Sequence, residues 1–417
     1  MAILDDFKAM APAAAQEFFV NLPARDQAEL LFALPESDRR LWMRMLDPDD
    51  AADLVQCVAR ERRVELLDML DRLTRNEVTA LMAYGEDVAG GLMSPRYARV
   101  RPEMTAEEAI SYVRRQSTRA LETIYYTYVL DGDQKLLGVV SFREFFAAQP
   151  DERVSEFMTT DPIVVHEQMH QEEVSRLFAK HSLIAIPVVT SEGRMKGIVT
   201  LDDIVDVVQE EATADIHKLG GSEALDEPYM KISLWKMIQK RGGWLVMLFL
   251  GEMLTASAMG YFENEIAKAV VLALFVPLII SSGGNSGSQA STLVIRAMAL
   301  GEVRLADWWR VMRRELVTGL CLGLILGTVG VVRIMLWQSA FHTYGEHYLL
   351  VAATVGMSLV AIVLWGGLAG SILPFIMRRL GFDPATACTP FVATFVDVTG
   401  LIIYFTVASF VLSGTLL

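Results

Sequence analysis

Pro277-Leu278-Ile279-Ile280-Ser281-Ser282-Gly283-Gly284-Asn285-Ser286-Gly287-Ser288-Gln289-Ala290-Ser291 lies inside an apolar stretch, residues 268–299, that is long enough to cross a bilayer. From Ser281 onward the run is too polar and Gly-rich to face lipid, where unpaired backbone groups are costly. The expectation is a span interrupted at this run, lining a cavity or packed against protein. Carbonyls, hydroxyls and amides at that depth are the ligands a hydrated hard cation meets.

Working outward, four more stretches reach the length of about 20 apolar residues that a spanning helix needs: about 243–262, 315–337, 348–377 and 386–415. Lys236, Lys240 and Arg241 precede the first, Arg304, Arg310, Arg313 and Arg314 separate the second from the third, and Arg378 and Arg379 separate the fourth from the fifth. The positive-inside rule then places the N-terminus in the cytoplasm and the C-terminus outside. Gly319, Gly323 and Gly327 in the third span, and Gly366, Gly367 and Gly370 in the fourth, allow close helix contact and read as packing.

Asp397 is the single charged side chain in residues 384–417. An ionised carboxylate at mid-membrane costs about 2.5 to 3.5 kcal/mol on insertion scales, so it is expected to face a pore or a partner. No base in its own span is available to pair with it. Mg2+ dehydrates reluctantly, and one carboxylate with polar oxygens can hold its hydrated form. Glu252 in the first span is a second intramembrane acid with no polar neighbourhood in sequence.

Charge separates along the chain. Residues 1–218 hold 39 acids and 24 bases, whereas residues 219–417 hold 12 acids and 13 bases. An acidic surface repels nucleic acid and suits cation binding, so no nucleic-acid partner is expected. The three cysteines, Cys57, Cys321 and Cys388, form no CxxC pair, which argues against a disulfide framework or a zinc site. The opening MAILDDFKAM does not read as a signal peptide, so the first half is expected in the cytoplasm.

Leu22-Pro23, Leu34-Pro35 and Leu46-Asp47-Pro48 recur every 12 to 13 residues, each followed by an acid, and predict a run of short helices. A second repeat follows. Met104-Thr105-Ala106-Glu107-Glu108-Ala109 corresponds to Met169-His170-Gln171-Glu172-Glu173-Val174, and residues 136–141 correspond to residues 195–200. Each copy reads as helix, strand, polar turn, strand and helix, with first strands at residues 125–130 and 184–190. This tandem α/β repeat resembles a pair of CBS domains. After Gly220-Gly221, residues 227–241 read as a helix joining the repeat to the membrane.

Asp203, Asp206 and Glu210 share one helical face, and Asp47, Asp49, Asp50 and Asp53 form a second cluster. Like charges so spaced oppose one another unless a cation intervenes.

Residues 277–291 together with Pro390-Phe391-Val392-Ala393-Thr394-Phe395-Val396-Asp397-Val398-Thr399-Gly400, and Glu211-Ala212-Thr213-Ala214-Asp215-Ile216-His217-Lys218-Leu219-Gly220, resemble signature stretches of the MgtE magnesium channels. The resemblance implies a multi-domain fold: an all-α N-terminal helical domain over residues 1–86, α+β CBS repeats over 87–157 and 158–218, a connecting (plug) helix over 219–241, and a five-helix transmembrane pore domain over 242–417. It implies a homodimer in the lipid of the bacterial inner membrane, with Asp397 as the selectivity carboxylate, Ala393 and Asn285 beside it, and Asp383 at the cytoplasmic mouth. Mg2+ would be both cargo and regulator. Bound between the helical and CBS domains through Asp203, Asp206, Glu211, Asp215, Glu172, Asp49 and Asp53, it would hold the pore closed. Ala214, Ser182 and His170 stand where family members can carry acids, which implies fewer sensor ligands here. Some relatives bind ATP in the CBS pair; Thr200 with Asp203 suits a ribose contact, but no glycine-rich phosphate loop supports it.

Other readings remain open at this point. A broader Co2+ or Ni2+ carrier would usually employ imidazole or thiolate, and the membrane half has its histidines, His342 and His347, in an outer loop. A non-conducting CBS receptor would need neither Asp397 nor the polar run. No Walker-type loop and no nucleophile, base and oxyanion constellation supports a pump or an enzyme.

Overall fold

The computed structural model describes residues 7, 9–117, 121–386 and 389–415; Cys388 falls outside them. The chain forms two compact units, Met1–Glu211 and Ala212–Leu417.

The first unit begins with short helices, as the proline spacing predicts. Pro23 and Pro35 immediately precede Ala24–Ala33 and Glu36–Met43, and Pro48 is the first residue of Pro48–Cys57, where its missing N–H costs no hydrogen bond. Arg60–Met69 and Arg72–Leu81 follow, and the Asp71 carboxylate accepts from the backbone N–H groups of Leu73 and Thr74 to cap the latter. Phe19, Leu31, Met43, Leu54, Leu66 and Leu81 are fully buried, and their core runs on into Val165, Phe178, Ile186 and Val199 of the second α/β repeat.

The two repeats form two three-stranded sheets, ordered β1-β2-β3 and β4-β5-β6. β1 (Tyr97–Val100) pairs parallel with β2 (Thr123–Leu130), which pairs antiparallel with β3 (Leu136–Ser141). β4 (Val165–His166), β5 (Ala185–Val189) and β6 (Met195–Thr200) repeat the pattern. Helices Ala106–Gln116 and Gln171–His181 precede the hairpins, and Phe142–Ala147 and Leu201–Leu219 follow them. The sequence reading missed β1 and β4, because runs of four and two residues are too short to show alternation.

The second unit contains five helices long and apolar enough to cross a membrane: Leu234–Tyr261, Val270–Ala299, Leu305–Phe341, Tyr348–Arg379 and Thr389–Leu412. They are the first to fifth spans below. Two expectations change. The helix expected over residues 227–241 starts only at Leu234 and continues without a break into the first span, its start capped by Ser233 Oγ accepting from the Lys236 N–H. The helix that leaves the second repeat is Leu201–Leu219.

The polar run does not interrupt the second span either, because Val276–Ala299 is one continuous helix. Its backbone groups are satisfied within the helix, so the glycines are free to serve packing. A Cβ on Gly366 would lie 2.4 Å from the Gly283 carbonyl oxygen, and one on Gly370 would lie 2.0 Å from that of Gly287. The run's hydroxyls reach neighbouring backbone: Ser286 Oγ donates to the Val363 carbonyl at 3.0 Å, and Ser288 Oγ to that of Thr389 at 3.2 Å. In the third span, a Cβ on Gly323 would stand 2.9 Å from Val360 Cα in the fourth, which bears out the packing reading of the glycine spacing.

Gly370→Ala forces a methyl group onto a backbone carbonyl that cannot rotate away. The expected outcome is a destabilisation of about 2 kcal/mol or more, read as a lower unfolding temperature of the full chain in detergent. Wild-type stability would contradict the contact.

Candidate functional site

The first candidate lies in the first unit, where the acids of two helices come within electrostatic range of one another. Asp49 and Asp50 occupy the first turn of Pro48–Cys57, where the helix dipole favours negative charge. The helix Leu201–Leu219 follows β6 directly, and the Thr200 hydroxyl donates to Asp203 Oδ2 at 2.6 Å across its first turn. Thr200 is buried and engaged in this local contact.

Burial and then the charges of Asp203, Glu122 and Asp50 push the Asp49 carboxyl well above the usual range. Asp49 is 8% exposed, and its buried Oδ1 has no hydrogen-bond partner. Burial first, and then Asp47, Asp202 and Asp206, raises Asp50 to about 6. Burial also raises Asp203 to about 7 against the opposing hydrogen bonds from Thr200. Glu122, which accepts from Ser94 Oγ at 2.9 Å, is pushed to about 7 by burial and by Asp47. Asp53 is exposed at the edge of this group, in range of Glu86, Asp50 and Glu210. Arg96 reaches the margin, pairing with Asp47 at 3.4 Å and Glu77 at 3.2 Å.

Of the acids singled out in the sequence, Asp49, Asp53, Asp203 and Asp206 are therefore within electrostatic reach of one another's helices. Glu211 accepts from Gln171 Nε2 at 2.7 Å, Glu172 is ion-paired with Arg176, and Asp215 lies further along the Leu201–Leu219 helix, beyond the first unit. Glu122 was missed because it stands alone in sequence, and Glu86 because with Asp87 it forms only an isolated acidic pair without helical spacing. Among the described residues, no three His, Cys, Asp or Glu side chains converge closely enough to hold a metal ion directly. Mg2+ keeps several waters and needs only one or two carboxylates, so this all-oxygen, like-charged group with an orphaned carboxylate oxygen fits that ion.

The second candidate is in the membrane unit. A methyl group on Gly284 would sit 3.4 Å from Asp397 Oδ1 and 3.5 Å from Ala393 Cβ, so the second span's glycine receives one turn of the fifth span. Asp397 is half-buried and, among the described residues, has neither a hydrogen bond nor an ion pair. Asn285 is exposed and donates weakly to Ser281 Oγ at 3.4 Å. The first span approaches the same level: a Cβ on Gly251 would meet Thr394 Cγ2 at 2.8 Å. Glu252 and Thr394 line an open recess of about 520 Å3. Sequence alone offered Glu252 no polar neighbour; the fold supplies one. Asp383, just before the fifth span, accepts from Lys218 Nζ at 2.6 Å and from the Ala385 N–H at 2.9 Å. Lys218, 165 positions away in sequence, was not foreseen.

A carboxylate left without a base inside a bundle of five apolar helices marks a functional site in a membrane protein, and the two α/β repeats add a soluble half. Comparison with known proteins agrees. Residues 276–407 match the MgtE model, described as a divalent cation transporter, residues 87–151 and 154–210 match the CBS domain, and residues 5–87 match the MgtE intracellular N domain. The magnesium transporter MgtE of Thermus thermophilus is 43% identical over 96% of this chain and 88% of its own. That of Enterococcus faecalis is 30% identical over 94% and 93%. A crystal structure of the cytosolic domain of the Mg2+ channel MgtE in complex with ATP is 43% identical, with a TM-score of 0.46 over 48% of this chain and 82% of that one. The chain belongs to the MgtE family of magnesium transporters, whose members are transporters and not enzymes.

The raised carboxyls set a pH dependence. The folded values of Asp50, Glu122 and Asp203, about 6 to about 7, lie above the unfolded 3.8 and 4.5. The stability they contribute as neutral groups is complete below the unfolded values and is lost as pH rises through about 7. Metal-free full-length protein should therefore melt at lower temperature at pH 8 than at pH 5, and Mg2+ should restore the loss at pH 8 with little effect at pH 5. Asp49→Asn should raise metal-free stability by about 1 kcal/mol and shrink the Mg2+ shift. A Mg2+ shift equal at both pH values would contradict the assignment.

Proposed function

We propose that this chain conducts Mg2+ across the inner membrane, with Asp397 as the carboxylate that receives the hydrated ion and the Ala393 backbone, Gly284 and Asn285 around it. The unpaired Asp397 against Gly284 carries this reading. A carboxylate left without a base in an apolar bundle needs a cation or water there, and a simple anchor needs neither. Two copies in a homodimer would bring two such carboxylates to one axis. The arginine-rich ends of the second to fourth spans orient the N-terminus and Asp383 toward the cytoplasm. Flux is then passive, driven by the membrane potential at about 2.3 kcal/mol per charge per 100 mV.

The acidic cluster serves as the sensor. Mg2+ held by Asp49, Asp53, Asp203 and Asp206 would relieve the repulsion between Pro48–Cys57 and Leu201–Leu219, stabilising the arrangement in which these helices sit close. The far end of that second helix carries Lys218, bound to Asp383 at the proposed mouth, so a change at its start is transmitted along a rigid element. Loss of Mg2+ would leave the carboxylates to repel and release the closed state. A carboxylate such as that of Asp397 is a hard oxygen ligand and favours a hard ion over Co2+ or Ni2+.

In proteoliposomes at a fixed membrane potential, Asp397→Asn should lower Mg2+ uptake by at least about tenfold, beyond 1.4 kcal/mol of lost ion stabilisation. Millimolar Mg2+ on the cytoplasmic side should suppress wild-type uptake, and Asp49→Asn should blunt that suppression. Full uptake by folded Asp397→Asn would remove this carboxylate from the pore.

A further inference from the structure

Arg310, Arg313 and Arg314 face outward at the start of the third-span helix Trp308–Phe341, and with Trp309 and Val317 they line an open recess of about 530 Å3. The carboxylate in this recess, Asp307, is already engaged: its Oδ1 accepts from Arg310 Nη1 at 3.1 Å and its Oδ2 from the Arg304 N–H at 3.1 Å. Arg313 and Arg314 are exposed and make no hydrogen bond or ion pair among the described residues. Glu315, next in sequence, is turned to the fourth span, its Oε2 lying 3.6 Å from where a Cβ on Gly367 would be. Arg378 and Arg379, at the same end of the fourth span, add charge of the same sign.

Just beyond the arginines the helix surface becomes apolar, with Leu316 49% and Val317 60% exposed. Trp309, 60% exposed, lies at this boundary with its ring 5.4 Å from that of Trp308. Exposed indoles mark the level of the lipid headgroups, and a guanidinium can give a phosphate two parallel hydrogen bonds.

We propose that this recess binds the headgroup of an anionic phospholipid, with Arg313 and Arg314 on its phosphate and its acyl chains along Leu316 and Val317. Charge complementarity selects an anion, and the apolar flank selects a lipid over free phosphate, which would leave that flank uncovered. The site rests on the membrane reading of this half and is independent of Asp397 and of the direction of transport.

The test is native mass spectrometry of the full-length protein in non-ionic detergent, titrated with phosphatidylglycerol, with phosphatidylcholine of the same chains, or with inorganic phosphate. Phosphatidylglycerol should bind at least about tenfold more tightly than phosphatidylcholine, and Arg313→Gln with Arg314→Gln should abolish that preference. Millimolar phosphate should not displace the lipid. Because both arginines are exposed, the double variant should keep its unfolding temperature without lipid and its Mg2+ uptake in phosphatidylcholine vesicles. Equal binding of the two lipids, an unchanged preference in the double variant, or displacement by phosphate would each overturn the proposal.

Discussion

The carbonyl oxygens of Gly283 and Gly287 occupy the space where side chains of Gly366 and Gly370 would stand. Much of the membrane unit depends on that contact. Lipid tails give helices no hydrophobic reason to associate, so close backbone approach and dispersion must hold them together. With the second and fourth spans this close, Val392 and Val396 of the fifth pack against Gly287 and Gly283. Ala393 and Asp397, the next residues on that helix, are thereby carried to Gly284. A carboxylate that would be costly on a lipid-facing surface is thus held beside the Gly284 backbone and the small side chain of Ala393.

The soluble unit works with the opposite constraint. Its two acidic helices are brought together by a shared apolar core that joins Leu54 and Val55 to Ile204. Hydrophobic burial offsets the repulsion between the carboxylates above it. The cluster therefore stores an unfavourable charge interaction that a proton or a divalent cation relieves, and its raised carboxyls record that cost. In the proposed sensor role the same physics would make the cluster responsive to Mg2+, because a group already stable without the ion would have little to gain from binding it.

The Leu201–Leu219 helix connects these two chemistries by covalent continuity. Its first turn carries Asp202 and Asp203 and its last carries Lys218, which is paired with Asp383. The sequence already reads the acid-bearing stretch after the second repeat as helical, and the structure carries that helix on to Leu219, so that Lys218 lies on it too. The expected joining helix over residues 227–241 is displaced because the Ser233 cap starts a new helix there, and nothing stops it before Tyr261.

The amino-acid sequence by itself determined the number of spans, the helical and CBS-type repeats, the family, and the candidate status of Asp397, Asp49 and Asp203, because hydropathy, proline spacing and charge patterns are local properties. Tertiary structure decided what no local pattern encodes. The polar run is an unbroken helix whose backbone groups pair within it, and its glycines meet those of the fourth span at backbone contact. Glu122 joins the acidic cluster and Glu252 shares a recess with Thr394 because folding brings distant segments together. Asp383 acquires Lys218 because the pair is separated by 165 residues of chain and by nothing in space.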